Sequence, residues 1–388
     1  MVILFSCYLL SSNRRAINWT QILWGISLQF LFGILILKAY PEYVFSFAQR
    51  VFEGINFFAS TGARFLFGGL ADNRDFTILS MGAVIIFVSS VMGVLNYLRI
   101  LPAAMYALAR LMQKTMRTSG AETMAAAMFI MMGIEVATAL KNVLGRLTKS
   151  ELFSVMTCFM CTIAGSVMAV YVGVFGANAG YILAASVMNA PAGLAISKVL
   201  LPETSTPQTL GTWSWQDILS KDHGLIESAA NGAIDGLKLT ATISAVLLAF
   251  VSFINMINGG LGHLGTSFEI IGGYVLSPVA FLLGVPWSDC MKAGELLALK
   301  AIFNEWLAYS RLKIMVSAGE LSARGTMILT YALCSFANLG SMAILIGGLS
   351  ALAPERRSEI AGLGLKALFS GLMAGFMTAA AAGVLLQS

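Results

Sequence analysis

Charged side chains are scarce in this sequence. Only 11% of the 388 residues are Asp, Glu, Lys or Arg, whereas soluble domains carry about 25%. Hydrophobic residues make up 58% of the chain, and the mean hydropathy is +0.82. This composition excludes a soluble globular enzyme and a disordered chain. It also excludes a nucleic-acid binder, which needs clustered Lys and Arg on a solvated face. The sequence therefore indicates a polytopic membrane protein whose partner is the lipid bilayer.

Histidine and paired cysteine, the usual ligands of metal and redox centres, are also rare. The only histidines, His223 and His263, lie in polar or glycine-rich segments, which excludes a histidine-based centre inside the membrane. Cys158 and Cys161 form a C-x-x-C pair, but no second pair or histidine accompanies it to make a zinc site. We expect no cofactor, no metal beyond a coupling sodium ion, and no enzymatic activity.

Eight apolar stretches have the composition of membrane-spanning helices, which need about 20 residues to cross the hydrocarbon core. They are 1–10, which is short for a span, 22–39, 76–98, 152–175, 181–201, 239–257, 326–349 and 360–386. Four basic clusters fall on one side of this arrangement, which predicts that this side faces the cytoplasm. The stretch from Val44 to Phe58 has apolar residues at helical spacing and predicts an amphipathic helix on the membrane surface.

Two further apolar segments contain acidic residues and are too short to cross the membrane and return. The first contains Glu135, and the second contains Glu305. Each predicts a re-entrant helical hairpin, the first entering from the cytoplasm and the second from outside. Because hairpin, span and span recur at about 117–201 and 286–386, the sequence predicts an inverted repeat. Such repeats are typical of secondary transporters that bind substrate near the membrane midplane.

The predicted fold is an all-α polytopic membrane protein with eight transmembrane helices and two re-entrant hairpins. Residues 1–98 are expected to form scaffold helices and the surface helix, and residues 99–201 the first transport repeat. Residues 202–285 are expected to form a linker, a scaffold span and an external loop that includes the glycine-rich stretch 259–274. Residues 286–388 complete the second transport repeat.

In each repeat, the hairpin acid is followed by a patch of small and polar residues in the next span. Glu135 precedes the patch at 161–166, and Glu305 precedes the patch at 334–341. A carboxylate at mid-membrane costs at least ~2.5 kcal/mol on insertion scales, so it usually faces a cavity or a polar partner. Small and polar residues allow the helix to unwind there and expose carbonyl groups to a ligand. The alternative is that they simply allow close helix packing.

Motifs at these positions resemble the concentrative nucleoside transporter family over nearly the whole chain. They are SELF at 150–153, TIAGSV at 162–167, AASVMNAPA at 184–192, PET at 202–204, KAIFNEW at 300–306, FANLGS at 336–341 and ALAPERR at 351–357. The resemblance implies a trimer in which a transport domain carrying both hairpins moves like an elevator against a scaffold. It also implies cation-coupled import of nucleosides across the plasma membrane, in bacteria the inner membrane.

The resemblance also implies roles for individual residues of the second repeat. The family's hairpin acid falls on Glu305, and its ribose-binding Asn and Ser fall on Asn338 and Ser341, with Phe336 packing nearby. A carboxylate and an amide can hold a vicinal diol through several hydrogen bonds. The aromatic residue after the acid is usually Phe in the family and is Trp306 here.

The first hairpin departs from the family pattern Gly-Gln-Thr-Glu-Ala-Pro. Its acid is kept as Glu135, but the amide and hydroxyl that read the base are replaced by Gly133 and Ile134. The usual base recognition is therefore expected to be altered. An open alternative is a transporter of a modified nucleoside or another small polar solute. A channel is less favoured, because polar patches occur only at the two predicted helix breaks.

The family's sodium site maps onto four positions of the first repeat. They are Met128, Met131, Thr162 and Ile163. The family's Asn is replaced by Met128, whose thioether is a poor partner for a hard cation, so one side-chain oxygen and main-chain carbonyls remain. The coupling ion is thus a proton or sodium. The sequence favours a proton slightly, because Glu135 and Glu305 could carry it.

Overall fold

A computed structural model describes residues 1–39, 41–72, 77–134, 136–208 and 222–386. These residues are helical throughout, with short connections and no strand in the described ranges. The helices of the first half are α1 (Val2–Leu9), α2 (Trp19–Ile34), α3 (Pro41–Phe67), α4 (Thr77–Tyr97), α5 (Ile100–Met116), α6 (Gly120–Met128), α7 (Val136–Ala139), α8 (Lys141–Leu144), α9 (Lys149–Cys161), α10 (Gly165–Gly173) and α11 (Ala179–Leu200). Those of the second half are α12 (Leu225–Gly262), α13 (Phe268–Leu282), α14 (Cys290–Ile302), α15 (Glu305–Ser317), α16 (Ala323–Leu333), α17 (Leu339–Leu352) and α18 (Arg357–Leu385).

Six helical stretches of the described chain are long and apolar enough to cross a membrane. They are Trp19–Ala39, Ile78–Tyr97, Lys149–Gly173, Ala179–Leu200, Leu225–Gly262 and Pro354–Leu385. Each of them overlaps one of the eight predicted spans. Of the other two, the span at 1–10 is the eight-residue helix α1, and the span at 326–349 is divided between α16 and α17. The polytopic all-α fold is confirmed, and the total of eight spans stays a prediction.

The two predicted repeats show the same order of elements. In the first, α6 and the short helices α7 and α8 precede α9 and α10, which are separated by a break at 162–164. In the second, α14 and α15 precede α16 and α17, which are separated by a break at 334–338. A long helix, α11 or α18, closes each repeat. The polar patches read from the sequence therefore coincide with real interruptions of two helices.

The repeats form the centre of the molecule, and α12 lies outside them. The membrane-length window of α9 and α10 is 100% buried, whereas that of α12 is only 6% buried. Most of α12 therefore faces lipid or another protein. It is held to the rest of the chain mainly by α4, against which it packs along much of its length.

Glycines allow α12 to approach α4 closely. A Cβ atom on Gly232 would overlap the carbonyl group of Ser89, and one on Gly93 would overlap the carbonyl oxygen of Ser228. The hydroxyl of Ser90 donates a hydrogen bond of 2.8 Å to the Ala229 carbonyl across the same contact. Such contacts between small residues replace the hydrophobic driving force that is missing between helices in lipid.

The structure corrects the predicted external loop at 259–274. The helix α12 continues to Gly262, and α13 begins at Phe268, so only a short connection separates two helices. The glycines that suggested a loop serve helix packing in α13, where Gly272 faces Ala298 and Gly273 faces Met291 of α14. Glycine weakens an isolated helix, but here it allows two helices to touch.

We expect Gly232→Ala to destabilise the protein, because the added methyl group must push α12 away from the backbone of α4. Overpacking of this kind typically costs about 1–3 kcal/mol, so the unfolding temperature in detergent should fall by several degrees. Gly259→Ala on the same helix is the matched control, since nothing lies within 4 Å of a Cβ atom there. An equal fall in both variants would contradict this account of the contact.

Candidate functional site

A pocket lies where the two helix breaks meet, between the repeats and α12. It encloses about 700 Å³ of empty space, including solvent at its open mouth, a size typical of small-molecule sites. The lining residues are Gly133, Ile134, Phe159, Ala164, Val167, Leu239, Thr242, Ile243, Val246, Leu247, Asn304, Glu305, Trp306, Phe336, Asn338, Gly340, Ser341 and Ile344. Its wall is mostly apolar, and its polar side chains come chiefly from the second repeat.

Glu305 and Asn338 form the polar centre of the pocket. The Asn338 amide nitrogen Nδ2 donates a hydrogen bond of 2.6 Å to Oε2 of Glu305, and both side chains are almost fully buried. Glu305 is the first residue of α15, whose N-terminus is capped by Asn304. Helix N-termini favour negative charge, so the backbone itself stabilises a carboxylate at this position.

Asn338 also begins the helix that follows the second break. Its side-chain oxygen Oδ1 accepts a hydrogen bond of 2.8 Å from the backbone N–H of Ser341, which makes it the N-cap of α17. The amide oxygen therefore caps the helix that ends the break, and the amide nitrogen contacts Glu305. This double use fixes the amide orientation without any ligand.

The two helix breaks are bonded directly to each other. The backbone N–H of Phe336 donates to the carbonyl of Thr162 at 3.0 Å. The Asn189 side chain, on α11, donates to the carbonyl of Cys334 at 3.0 Å. Backbone groups released by unwinding must be satisfied inside a membrane protein, and these bonds satisfy some of them while joining the repeats.

Aromatic residues pack around the pocket, and three of them, Phe159, Trp306 and Phe336, line it. Trp306 lies edge-on to Tyr171 with ring centres 5.2 Å apart, and Tyr171 stacks on Tyr309 at 4.4 Å. On the other wall, Phe159 and Phe336 lie 5.5 Å apart. These rings give the pocket flat apolar faces next to one hydrogen-bonding corner.

The predicted substrate residues that lie within the described part of the chain come together in one place. Gly133, Ile134, Glu305, Phe336, Asn338 and Ser341 all line this one pocket. Glu135 lies outside the described residues, so its place in the site stays a prediction. Gly133 and Ile134 contribute backbone and aliphatic surface, as their residue types require.

The predicted cation residues lie beside the pocket rather than in its lining. They are Met128, Met131, Thr162 and Ile163. The Thr162 hydroxyl donates to the Cys158 carbonyl at 2.7 Å, and the carbonyl of Met131 accepts from the N–H of Gly165 at 2.8 Å. Two of the oxygens proposed for a cation thus already make internal hydrogen bonds. Among the described residues, no group of three or more His, Cys, Asp or Glu side chains could hold a metal ion.

Asp289, near the mouth of the second hairpin, has a structural role. It accepts hydrogen bonds from the backbone N–H of Ser322 at 2.9 Å and from the hydroxyl of Ser288 at 2.8 Å. Burial alone would raise the pKa of Asp289, but these hydrogen bonds hold it below its ordinary value. The carboxylate therefore joins the start of α14 to the start of α16.

Sequence reasoning missed the wall that α12 contributes. The residues of α12 that line the pocket are Leu239, Thr242, Ile243, Val246 and Leu247. Counted from Leu239 they are positions i, i+3, i+4, i+7 and i+8, so they lie on one face of the helix. The sequence indicated an apolar span, but no local signal shows which face of that span meets a site whose other residues lie far away in the chain, at 133–167 and 304–344.

Three family models for nucleoside transporters match this chain. They are the C-terminal part of the Na⁺-dependent nucleoside transporters over residues 181–383, their N-terminal part over residues 1–70, and a nucleoside-recognition Gate domain over residues 78–178. The chain belongs to the concentrative nucleoside transporter family. The proteins of this family are transporters and not enzymes.

Relatives in animals and bacteria resemble the chain over nearly its whole length. It is 40% identical to solute carrier family 28 member 3 of Eptatretus stoutii, covering 97% of this chain and 58% of that protein. It is 38% identical to the uncharacterized transporter YutK of Bacillus subtilis, covering 99% and 97%. The chain therefore spans less than two thirds of the animal relative.

Solved structures share its fold. A structure of CNTnw in an inward-facing, substrate-bound state is 36% identical, covers 100% of this chain and 97% of that one, and superimposes with a TM-score of 0.93. Outward-facing and intermediate CNTnw structures match almost as well, with TM-scores of 0.92. The transporter fold is thus common to this chain and to a protein solved in several states.

We expect Asn338→Ser to separate the two roles of this residue. Serine can cap α17 but cannot donate an amide hydrogen bond to Glu305, so nucleoside binding should weaken at least tenfold while the unfolding temperature changes little. Asn338→Ala removes both functions and should lower binding and stability together. Ligand titration and thermal unfolding of the purified variants test this. Equal unfolding temperatures for the two variants would show that the cap is unimportant.

Proposed function

We propose that this protein is a cation-coupled symporter that imports nucleosides across the plasma membrane, which in a bacterium is the inner membrane. The observation that carries the proposal is the buried Glu305–Asn338 pair in the corner of an otherwise apolar, aromatic pocket. A ribose has a vicinal diol that suits this corner, and a nucleobase is a flat ring that suits the walls. Family membership supports the same substrate class.

The sugar and base are assigned to opposite parts of the pocket. Glu305, Asn338 and Ser341 supply the acceptor and donor groups for the ribose hydroxyls. Phe159 and Ile134 supply apolar surface for the base, with Glu135 as its proposed polar contact. Replacement of a base-reading amide and hydroxyl by Gly133 and Ile134 removes side-chain hydrogen bonds, so shape and stacking carry more of the recognition.

A transporter of a modified nucleoside is the second candidate. The first hairpin presents no polar side chain at Gly133 or Ile134, and both residues line the pocket, so a base with altered exocyclic groups would meet no mismatched donor or acceptor. A channel is disfavoured because the polar groups of the pocket gather at one corner instead of continuing along a path.

We also propose trimeric assembly and an elevator movement of the two repeats against the outer helices. The exposed apolar length of α12 and the exposed aromatic residues of α3, such as Phe57 and Phe65, offer surfaces for subunit and lipid contacts. The site lies between the repeats and α12, so sliding the repeats along this helix would carry the substrate across while leaving the sugar contacts intact.

A proton is the coupling ion that the residues favour, and sodium is the alternative that the family description favours. Sodium needs several oxygens, but the side chains of Met128, Met131 and Ile163 supply none, so the Thr162 hydroxyl is the one side-chain oxygen among the four mapped positions. Main-chain carbonyls at the breaks could still complete a sodium site. A proton needs only a carboxylate, and Glu305 is present in the pocket.

Replacing Glu305 by Gln should abolish nucleoside uptake. The amide has nearly the same shape but loses the negative charge and places a donor toward the Asn338 amide, so the sugar corner is mismatched. Uptake of labelled uridine and adenosine into proteoliposomes measures the effect. Glu320→Gln is the control, because Glu320 is a surface residue paired with Lys292, and it should transport normally. Normal uptake by the Glu305→Gln variant would contradict the proposal that Glu305 binds the ribose hydroxyls.

Discrimination between uridine and adenosine should be weak. A lost polar contact typically changes binding by 0.5–1.5 kcal/mol, about tenfold or less, and the first hairpin has lost two. Competition binding with both nucleosides on the wild type should give constants within about tenfold of each other. Ile134→Thr restores one hydroxyl and should widen that ratio. A ratio of several hundredfold between the uridine and adenosine binding constants of the wild type would show that the base binds away from Gly133 and Ile134.

Uptake should follow the proton gradient. In proteoliposomes with an acidic exterior and equal sodium on both sides, nucleoside should accumulate, and a protonophore should stop it. With an inward sodium gradient at equal pH, accumulation should be absent. Accumulation that is driven by sodium and insensitive to the protonophore would assign sodium instead.

A further inference from the structure

Hairpin two contains a fully buried lysine that the proposed transport mechanism does not use. Lys300, on α14, has no exposed surface, and its ammonium Nζ donates a hydrogen bond of 2.7 Å to the hydroxyl of Ser335. The ammonium also lies 5.9 Å from the centre of the Phe376 ring. None of the ion pairs found among the described residues includes Lys300. A buried charge without a contacting counter-ion needs another source of stabilisation.

Two helix ends provide that stabilisation. α9 ends at Cys161 and α16 ends at Leu333, immediately before the two breaks. The C-terminus of a helix carries the equivalent of about half a negative charge. The Ser335 hydroxyl that accepts from Nζ lies in the break that follows α16. The next residue, Phe336, donates its backbone N–H to the carbonyl of Thr162, directly after the end of α9. The ammonium therefore occupies the place where two carbonyl-rich helix ends converge.

Because the two repeats are related, the site around Ser335 that holds the Lys300 ammonium has an equivalent position in the first half of the chain. Aligning the sequence C-T-I-A at 161–164 with C-S-F-A at 334–337 places Cys161 with Cys334 and Thr162 with Ser335. The Thr162 hydroxyl belongs to the proposed cation site, and the Ser335 hydroxyl is the group that binds the lysine. Lys300 precedes its hairpin acid by five positions, and the residue five positions before Glu135 is Ile130. The first repeat thus has the hydroxyl without a built-in cation.

We propose that the Lys300 ammonium is a built-in cation that fills, in the second repeat, the place that corresponds to the proposed cation site of the first. This inference rests on the proposed cation-coupled function. It assigns a cation site to the space around Ser335, with a small monovalent cation as the ligand once the lysine is removed. It also limits each protomer to one exchangeable cation near the breaks.

The test uses the full-length protein in detergent and the variant Lys300→Ala. Methylammonium reproduces the end of the lysine side chain, so at 50–100 mM, about the concentration a weak site needs, it should raise the unfolding temperature of the variant by several degrees more than that of the wild type. Choline, which has no N–H donor, should not. Uridine binding by the variant should fall at least tenfold and should recover to within about threefold of the wild type in methylammonium.

Controls separate this inference from the proposed function. Lys292→Ala removes an exposed lysine on the same helix and should show neither the loss nor the rescue. The methylammonium shift does not require nucleoside, so wild-type protein that binds no nucleoside would overturn the proposed function and leave the cation site testable. If Lys300→Ala is recovered folded only when purified with methylammonium, the site is supported.

Three results would overturn the inference. One is equal methylammonium stabilisation of the wild type and of Lys300→Ala. Another is a Lys300→Met variant that binds uridine as tightly as the wild type in the absence of added cations. The third is a Lys300→Ala variant that cannot be recovered folded under any cation condition, because an unfilled cation site should be rescued by its ligand.

Discussion

The interruption of two buried helices is the constraint on which the rest of this structure depends. Each break releases backbone N–H and C=O groups in the buried centre of a membrane protein, where unsatisfied groups cost several kcal/mol each. The chain meets this cost with a hydrogen bond between the breaks, from Phe336 to Thr162, and with the side chains of Asn189 and Asn338. The repeats are joined because neither break is satisfied alone.

The binding corner is a consequence of the same requirement. Asn338 caps the N-terminus of α17 after the break with its amide oxygen, and its amide nitrogen remains available to bond Glu305. Glu305 is likewise placed by the start of α15. The groups that end or begin helices are therefore the groups that can contact a ligand, which explains why a polar site exists at all in such an apolar core.

Local patterns account for what the sequence could predict. The two helix breaks and the residues Glu305, Asn338 and Ser341 follow from polar or small residues inside apolar runs, and the structure places these three residues in one pocket. The helix α13 was missed because Gly272 and Gly273 suggest a loop unless the facing helix is known. The α12 wall was missed because its apolar residues have no signal that distinguishes a pocket face from a lipid face.

The two repeats have similar folds but differ in the charged and polar groups beside their breaks. The second repeat places Lys300, Glu305 and Asn338 around its break, and internal hydrogen bonds from Lys300 to Ser335 and from Asn338 to Glu305 hold these side chains in place. The equivalent positions of the described first repeat are apolar, with Ile130 in place of the lysine and Ala164 and Gly165 beside the hydroxyl of Thr162. A helix end without a fixed cation can bind a cation from solution and release it again, whereas a helix end with a tethered ammonium cannot. If Lys300 is a built-in cation, as proposed, the asymmetry gives one near-symmetric scaffold a tethered charge beside one break and none beside the other.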